Sequence, residues 1–148
     1  MILFDSSVII DARDANSRWH EWAEDEISKA VGSEGAGANT VVISEASVRA
    51  KNPDAVPQML LDFGMTLIPL PISAAIPAAR AFLIYLDRLK AAGKKADVRT
   101  PLPDFLIGAH AHAEQMTLVT RDPDRVAAYF PKVNLITPPK SFSVGTRA

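Results

Sequence analysis

The sequence has no cysteine among its 148 residues. That absence removes disulfides, thiolate zinc sites, iron–sulfur clusters and cysteine nucleophiles together. It fits a cytoplasmic protein. Histidine is nearly as scarce. His20, His110 and His112 are the only three, so a histidine-rich metal site is not expected. No charge is in excess: Lys plus Arg is 16, Asp plus Glu is 17, and the net charge is −1. Bulk charge therefore does not hold this chain on nucleic acid, and any such contact needs a local patch. The first residues, MILFDSSVIIDARD, lack a basic segment and meet acids early, unlike a signal peptide. The one long apolar stretch, residues 65–86, is interrupted by Pro69, Pro71 and Pro77 and contains Arg80. Pro-x-Pro continues neither a helix nor a central strand, so this is read as a strand, a proline loop and a helix start, not a membrane span.

What is present points to a folded domain. Hydrophobic residues make up 48% and charged residues 22%, which is enough apolar surface for a sizeable core. The length suits one domain, residues 1–148, with a polar tail at about 139–148. Strands are expected at Met1–Phe4, Thr40–Ile43, Met65–Leu70, Met116–Thr120 and Val133–Thr137, each a short apolar run. Helices are expected from Ser6, over 16–31, from Ser44, from Pro53 towards Gly64, over 73–92, from Asp104 and from Asp122. The segment GSEGAGAN at 32–39 reads as a turn and KKADVRTPLP at 94–103 as a basic loop. Strands apolar on both faces and alternating with helices imply an α/β fold, a parallel sheet covered on both sides by helices.

Chemistry enters through the acids. Asp5 ends the first expected strand, and Glu45 and Asp122 each follow a strand by two residues. In a parallel sheet the strand C-termini share one edge, and ligands bind where the strand order reverses. Asp5, Glu45 and Asp122 therefore belong to one edge. Asp104 opens a helix after a loop, so the same rule does not place it. Each acid alone has a second account, as a helix cap or a partner of a helix dipole. Asp122 before Pro123 is a good cap pattern. Gathered in one crevice, however, like charges about 4 Å apart repel by roughly 4 kcal/mol at an effective dielectric of 20. Such a cluster persists when a divalent cation neutralises it or when members are protonated. All-oxygen ligands favour Mg²⁺ or Mn²⁺ over zinc or copper.

The segments MILFDSSVIIDA, TVVISEASV and PLPDFLIGAHAHAEQMTLVTRDPDRVAAYFPKVNLITP resemble the PIN-domain nucleases, in particular the VapC-type toxins of bacterial toxin–antitoxin pairs. The likeness covers nearly the whole chain and is most specific over 101–138. It implies a three-layer α/β/α fold with a five-stranded parallel sheet of order 3-2-1-4-5. It implies Mg²⁺ or Mn²⁺ bound by the acids matching Asp5, Glu45, Asp104 and Asp122, cleavage of RNA, a homodimer, and inhibition by a small antitoxin. One departure is ASVRA at 46–50, which lacks the leucine often found after the glutamate. Within it, Arg49 sits four residues beyond Glu45, in ion-pair reach on a helix. The alternative class is a non-enzymatic one: a Mg²⁺-binding signalling domain or a partner-binding domain with a degenerate nuclease fold. A receiver-like signalling domain wants an acid after the third strand, where this chain has Leu70-Pro71.

Other residues have two accounts each. Ser6 and Thr120 flank the acids and are expected either to hold a carboxylate or metal-bound water, or to cap. Asp124 is a possible fifth acid, expected to point away from Asp122. Lys94, Lys95, Arg99, Arg121 and Arg125 surround Asp104 and Asp122 in sequence and are candidates for RNA phosphate contacts, or else ordinary surface charge. His110 is expected in the core, and His112 on a different face of the same helix. Trp19 and Trp22 share a stripe with Ala23 and Ile27, expected to pack in the core or at a dimer interface.

Overall fold

The computed structural model describes residues 1–95 and 102–140. The chain alternates strand and helix: β1 (Ile2–Phe4), α1 (Ser6–Arg13), α2 (His20–Val31), β2 (Ala36–Asn39), α3 (Thr40–Val48), α4 (Val56–Asp62), β3 (Thr66–Ile68), α5 (Ala75–Ala91), α6 (Leu102–Ala113), β4 (Leu118–Val119), α7 (Asp124–Tyr129) and β5 (Leu135–Ile136). Single 3-10 turns at Pro53–Ala55 and Ile72–Ala74 lead into α4 and α5. All five strands are parallel, in the order β3-β2-β1-β4-β5. Helices flank the sheet, as the strand–helix alternation requires. The order reverses beside β1: β2 and β3 build outward on one side, β4 and β5 on the other. The crevice of a doubly wound sheet therefore opens past the C-terminal ends of β1 and β4.

The second strand is not where its sequence pattern suggested. Thr40–Ile43 is β-branched and apolar, yet it forms the first turn of α3. The strand is the preceding Ala36–Asn39, expected as a turn, and every one of its residues is buried. Two local facts explain this. The Asn39 side chain accepts from the Val42 amide at 2.9 Å, an N-cap that starts the helix at Thr40. The strand also passes so close to its neighbours at Gly37 that no side chain fits there. A Cβ on Gly37 would meet Met1 Sδ at 2.8 Å and Ile68 Cδ1 at 3.2 Å. Packing thus overrides β-propensity. Smaller differences lie at element ends: α2 begins at His20 rather than at residue 16, and Pro123, not Asp122, holds the N-cap position of α7.

The core is continuous through the sheet. Leu3, Phe4, Ile9, Leu60, Phe105, Ile107 and Leu118 are among its fully buried side chains. The helix carrying Asp104 is pressed against α7, because Gly108 leaves room for the Phe130 ring. A Cβ there would lie 2.7 Å from a ring carbon. The α2 stripe serves this core: Trp22 is only 6% exposed, and Ala23, Ile27 and Ala30 are buried beside it. Exposed apolar side chains include Ile72, Ile76, Leu83 and Ile84, grouped on and just before α5. Among the described residues no helix is long and apolar enough to cross a membrane.

Trp22→Glu therefore tests the fold and not an interface. Burying an uncompensated carboxylate while leaving a cavity is expected to cost about 3–5 kcal/mol, read as a lower urea midpoint. An unchanged midpoint would contradict the placement of α2.

Candidate metal centre

Asp5 is where β1 ends and α1 begins. Its carboxylate does two things at once. It caps α1, with Oδ1 accepting from the Ser6 amide at 2.8 Å. Its Oδ2 accepts from Thr120 Oγ1 at 2.8 Å and from Ser7 Oγ at 3.1 Å. Thr120 reaches it because β4 lies beside β1, with the Asp5 amide bonded to the Val119 carbonyl at 3.0 Å. Asp5 thus caps α1 and presents the same carboxylate at the C-terminal edge of the sheet.

Glu45 comes from the second turn of α3 rather than from just beyond a strand. Since α3 starts directly at the C-terminal end of β2, the residue still arrives at the same edge. Ser6 Oγ donates to its Oε1 at 3.1 Å. Asp104 stands in the first turn of α6. The side chain of Asn39 links the two helices: beyond capping α3, its Nδ2 donates to His110 Nδ1 of α6 at 3.0 Å. His110 is 3% exposed, and burial holds its pKa below the usual value; its Nδ1 accepts the bond because an amide nitrogen only donates. Its role is core structure. His112 lies against Phe130 on the exposed side of the helix.

Asp5, Glu45 and Asp104 each offer a carboxylate oxygen within 4.8 Å of the others. Desolvation raises the pKa of Asp5 foremost, and the charge of Asp104 raises it further. Desolvation likewise raises Glu45, with the charges of Asp104 and Asp5 adding to it. The Ser6 hydroxyl and Arg49 oppose the rise at Glu45. Asp122 is not part of this tight group. It is exposed, and its amide donates to Thr120 Oγ1 at 3.1 Å. It does line two cavities with Asp5 and Asp104, of about 310 and about 250 Å³. Asp124 lines the larger one from an exposed position. Glu45, Ser6 and Arg49 line the smaller.

The basic candidates divide. Arg121 and Arg125 face these cavities but already hold carboxylates. Arg121 Nη1 donates to Asp11 Oδ1 at 3.2 Å, and Arg125 Nη1 to Asp104 Oδ2 at 2.5 Å. Lys94 and Lys95 are exposed at the end of α5. Arg99 lies outside the described residues. Two contributors were missed in the sequence. Ser7, one of the donors that fix Asp5, was not singled out. Asp11, 3% exposed, holds Arg121, and its Oδ2 has no partner among the described residues. Its four-residue spacing from Ser7 on α1, a shared helix face, was the available signal.

A family model for the PIN domain matches residues 2–131. The chain belongs to the PIN-domain family. Solved structures agree in fold. This PIN domain is similar to a chain of VapBC2 from Rickettsia felis bound to a DNA fragment from its promoter, at 16% identity and a TM-score of 0.65, covering 94% of this chain and 100% of that one. It is similar to FitAcB from Neisseria gonorrhoeae at 22% identity and a TM-score of 0.59, covering 93% and 98%. It is similar to VapBC-5 of the VapBC family of toxin–antitoxin systems, from Mycobacterium tuberculosis, at 20% identity and a TM-score of 0.54, covering 93% and 98%. No curated protein matches the sequence.

The raised carboxyl pKa values carry a sign. A carboxyl whose folded pKa lies above its unfolded value binds protons more readily in the folded state, so its ionisation lowers stability as pH rises through that range. Glu45→Gln should therefore stabilise the metal-free protein at pH 7, by up to about 1 kcal/mol after solvent screening. The gain should shrink as pH falls towards the ordinary carboxylate range. Urea unfolding of both proteins in chelator across pH checks this. The His110 contribution cancels in the difference. A Gln variant equal to or less stable than wild type at pH 7 would contradict it.

Proposed function

We propose that this PIN domain is a metal-dependent endoribonuclease, the toxin of a toxin–antitoxin pair, with Mg²⁺ or Mn²⁺ held by Asp5, Glu45 and Asp104 and assisted by Asp122. The observation that carries this reading is the convergence of three carboxylate oxygens from β1, α3 and α6 within 4.8 Å of one another. Opposite ligand oxygens of an octahedral Mg²⁺ lie about 4 Å apart. An all-oxygen donor set of that span fits a hard divalent cation, and it offers no nitrogen or sulfur to a softer one. The toxin reading draws support from the likeness to members of toxin–antitoxin complexes.

Phosphodiester hydrolysis needs an attacking water and a stabilised leaving oxygen, and a bound Mg²⁺ or Mn²⁺ supplies both. The chain's own residues provide the rest. Asp5 is held rigidly by the Ser6 amide and by the Ser7 and Thr120 hydroxyls. Fixed carboxylates place the cation without reorganisation at each turnover. Glu45 keeps one oxygen on the Ser6 hydroxyl, and the other is available to bind the ion or to orient the water. Asp122, exposed at the rim of both cavities, is suited to a water-mediated contact, because Mg²⁺ keeps several of its waters. Arg49 and Arg121 line the smaller cavity; Arg121 is held by Asp11, which leaves Arg49, with the exposed Lys94 and Lys95, as cations suited to RNA phosphates.

The reading includes two partners. The exposed Ile72, Ile76, Leu83 and Ile84 suit an isologous contact with a second copy. The second partner is a small antitoxin, for which the cavity bounded by Glu24, Ser28 and Phe63 beside α2 offers a seat for a side chain. A basic residue on that partner would offset the carboxylates as a metal does.

Purified protein should cleave single-stranded RNA with Mg²⁺ or Mn²⁺, and chelator should stop it. Asp104→Asn should lower cleavage by at least about 100-fold while the fold persists, since even partners one shell removed from a metal are worth 10–100-fold. Cleavage unaffected by chelator or by Asp104→Asn would contradict the metal reading. In chelator, Lys94→Gln with Lys95→Gln should flatten the salt dependence of RNA binding by roughly 0.7 in log–log slope per lost contact. An unchanged slope would put the RNA path elsewhere.

A further inference from the structure

The three clustered carboxylates are held in different ways. Asp5 and Glu45 accept from hydroxyls and a backbone amide. Asp104 has one partner among the described residues, and it is a cation: Arg125, at 2.5 Å. The arginine is seated as well as paired. Its guanidinium carbon lies 5.7 Å from the centre of the Tyr85 ring and 5.9 Å from that of Phe105. Those two rings, from α5 and α6, pack 5.4 Å apart. An arginine over two aromatic faces gains cation–π attraction that does not depend on the carboxylate. The guanidinium thus has a support that remains when its ion pair is broken.

We propose that Arg125 is a resident counter-cation of the acidic cluster, one that a divalent ion must displace from Asp104 in order to bind. The proposal rests on the metal reading above and concerns its control. Without an ion, the three carboxylates repel, and Asp104 is the charge that acts on both of the others. Arg125 offsets that charge. When a divalent ion arrives the offset is no longer needed, and two cations on one carboxylate repel each other. Both members of the pair are reachable from solvent, with side-chain exposures of 37% for Arg125 and 40% for Asp104. The exchange therefore requires no opening of the core. An arginine that served only to orient Asp104 would have the opposite signature, because its loss would weaken metal binding. Asp104 sits in the first turn of a regular helix whose packing already sets its direction, which favours the counter-cation role.

Calorimetric titration of Mn²⁺ into the full chain, without RNA, distinguishes the two. Arg125→Gln is expected to bind Mn²⁺ about tenfold more tightly than wild type, the effect of removing one nearby like charge. Its thermal midpoint without metal should be lower than that of wild type, and the gap should close at saturating Mn²⁺. Tyr85→Leu keeps both charges but takes away half of the seat. It should tighten binding by a smaller factor, and it serves as the test if Arg125→Gln does not fold. Wild-type binding with equal or weaker affinity in the variants would overturn the role of Arg125 and leave the metal reading standing. Binding by none of the proteins would overturn both.

Discussion

The crowding of three carboxylates at one partly buried edge of the sheet is the constraint on which this structure turns. Burial is the larger cause of the raised pKa of Asp5 and Glu45, and the neighbouring carboxylate charges add to it. The fold meets this crowding with donors placed at the end of β1. The sequence Asp5-Ser6-Ser7 turns directly into α1, so the first helical amide and two hydroxyls converge on acidic oxygens. Thr120 arrives from the neighbouring strand to complete the set. Every one of these donors favours the ionised form, while burial opposes it. For Asp5 and Glu45 burial prevails. A cluster left in that state gains from any cation that enters it.

The same edge is fixed from the opposite direction by Asn39. This one buried side chain ends β2, starts α3 and bonds to His110 in α6. Glu45 and Asp104 ride on those two helices, so their approach is set by a hydrogen bond in the core and not by their own attraction for anything. Gly108 adds to the same end by letting α6 lie against Phe130. The carboxylates are in this sense positioned by the packing of the fold itself.

Much of this was legible in the residues. Strand–helix alternation gave the parallel sheet, and Asp5, placed where an apolar strand meets a hydroxyl-rich helix start, could be assigned to the edge directly. Asp104 could not, because a helix that follows a loop may begin at either edge; only its likeness to PIN domains put it with the others. The position of β2 was misread for a physical reason. TVVI carries the β-branched signal, whereas the true strand, AGAN, has none, and at Gly37 Met1 and Ile68 leave no room for a Cβ. Nothing in a single sequence announces such crowding. The arginines were harder still. Arg121 and Arg125 read either as phosphate contacts or as ordinary surface charge, and their pairing with Asp11 and Asp104 joins segments 110 and 21 residues apart in sequence.

If the carboxylates form one cation site at the switch point of the sheet, a crystal grown in Mn²⁺ will show it by anomalous scattering. A manganese peak bounded by Asp5, Glu45 and Asp104 is expected, with the Arg125 guanidinium moved off Asp104. A crevice without a peak at saturating Mn²⁺, or a peak held by other residues, would contradict it.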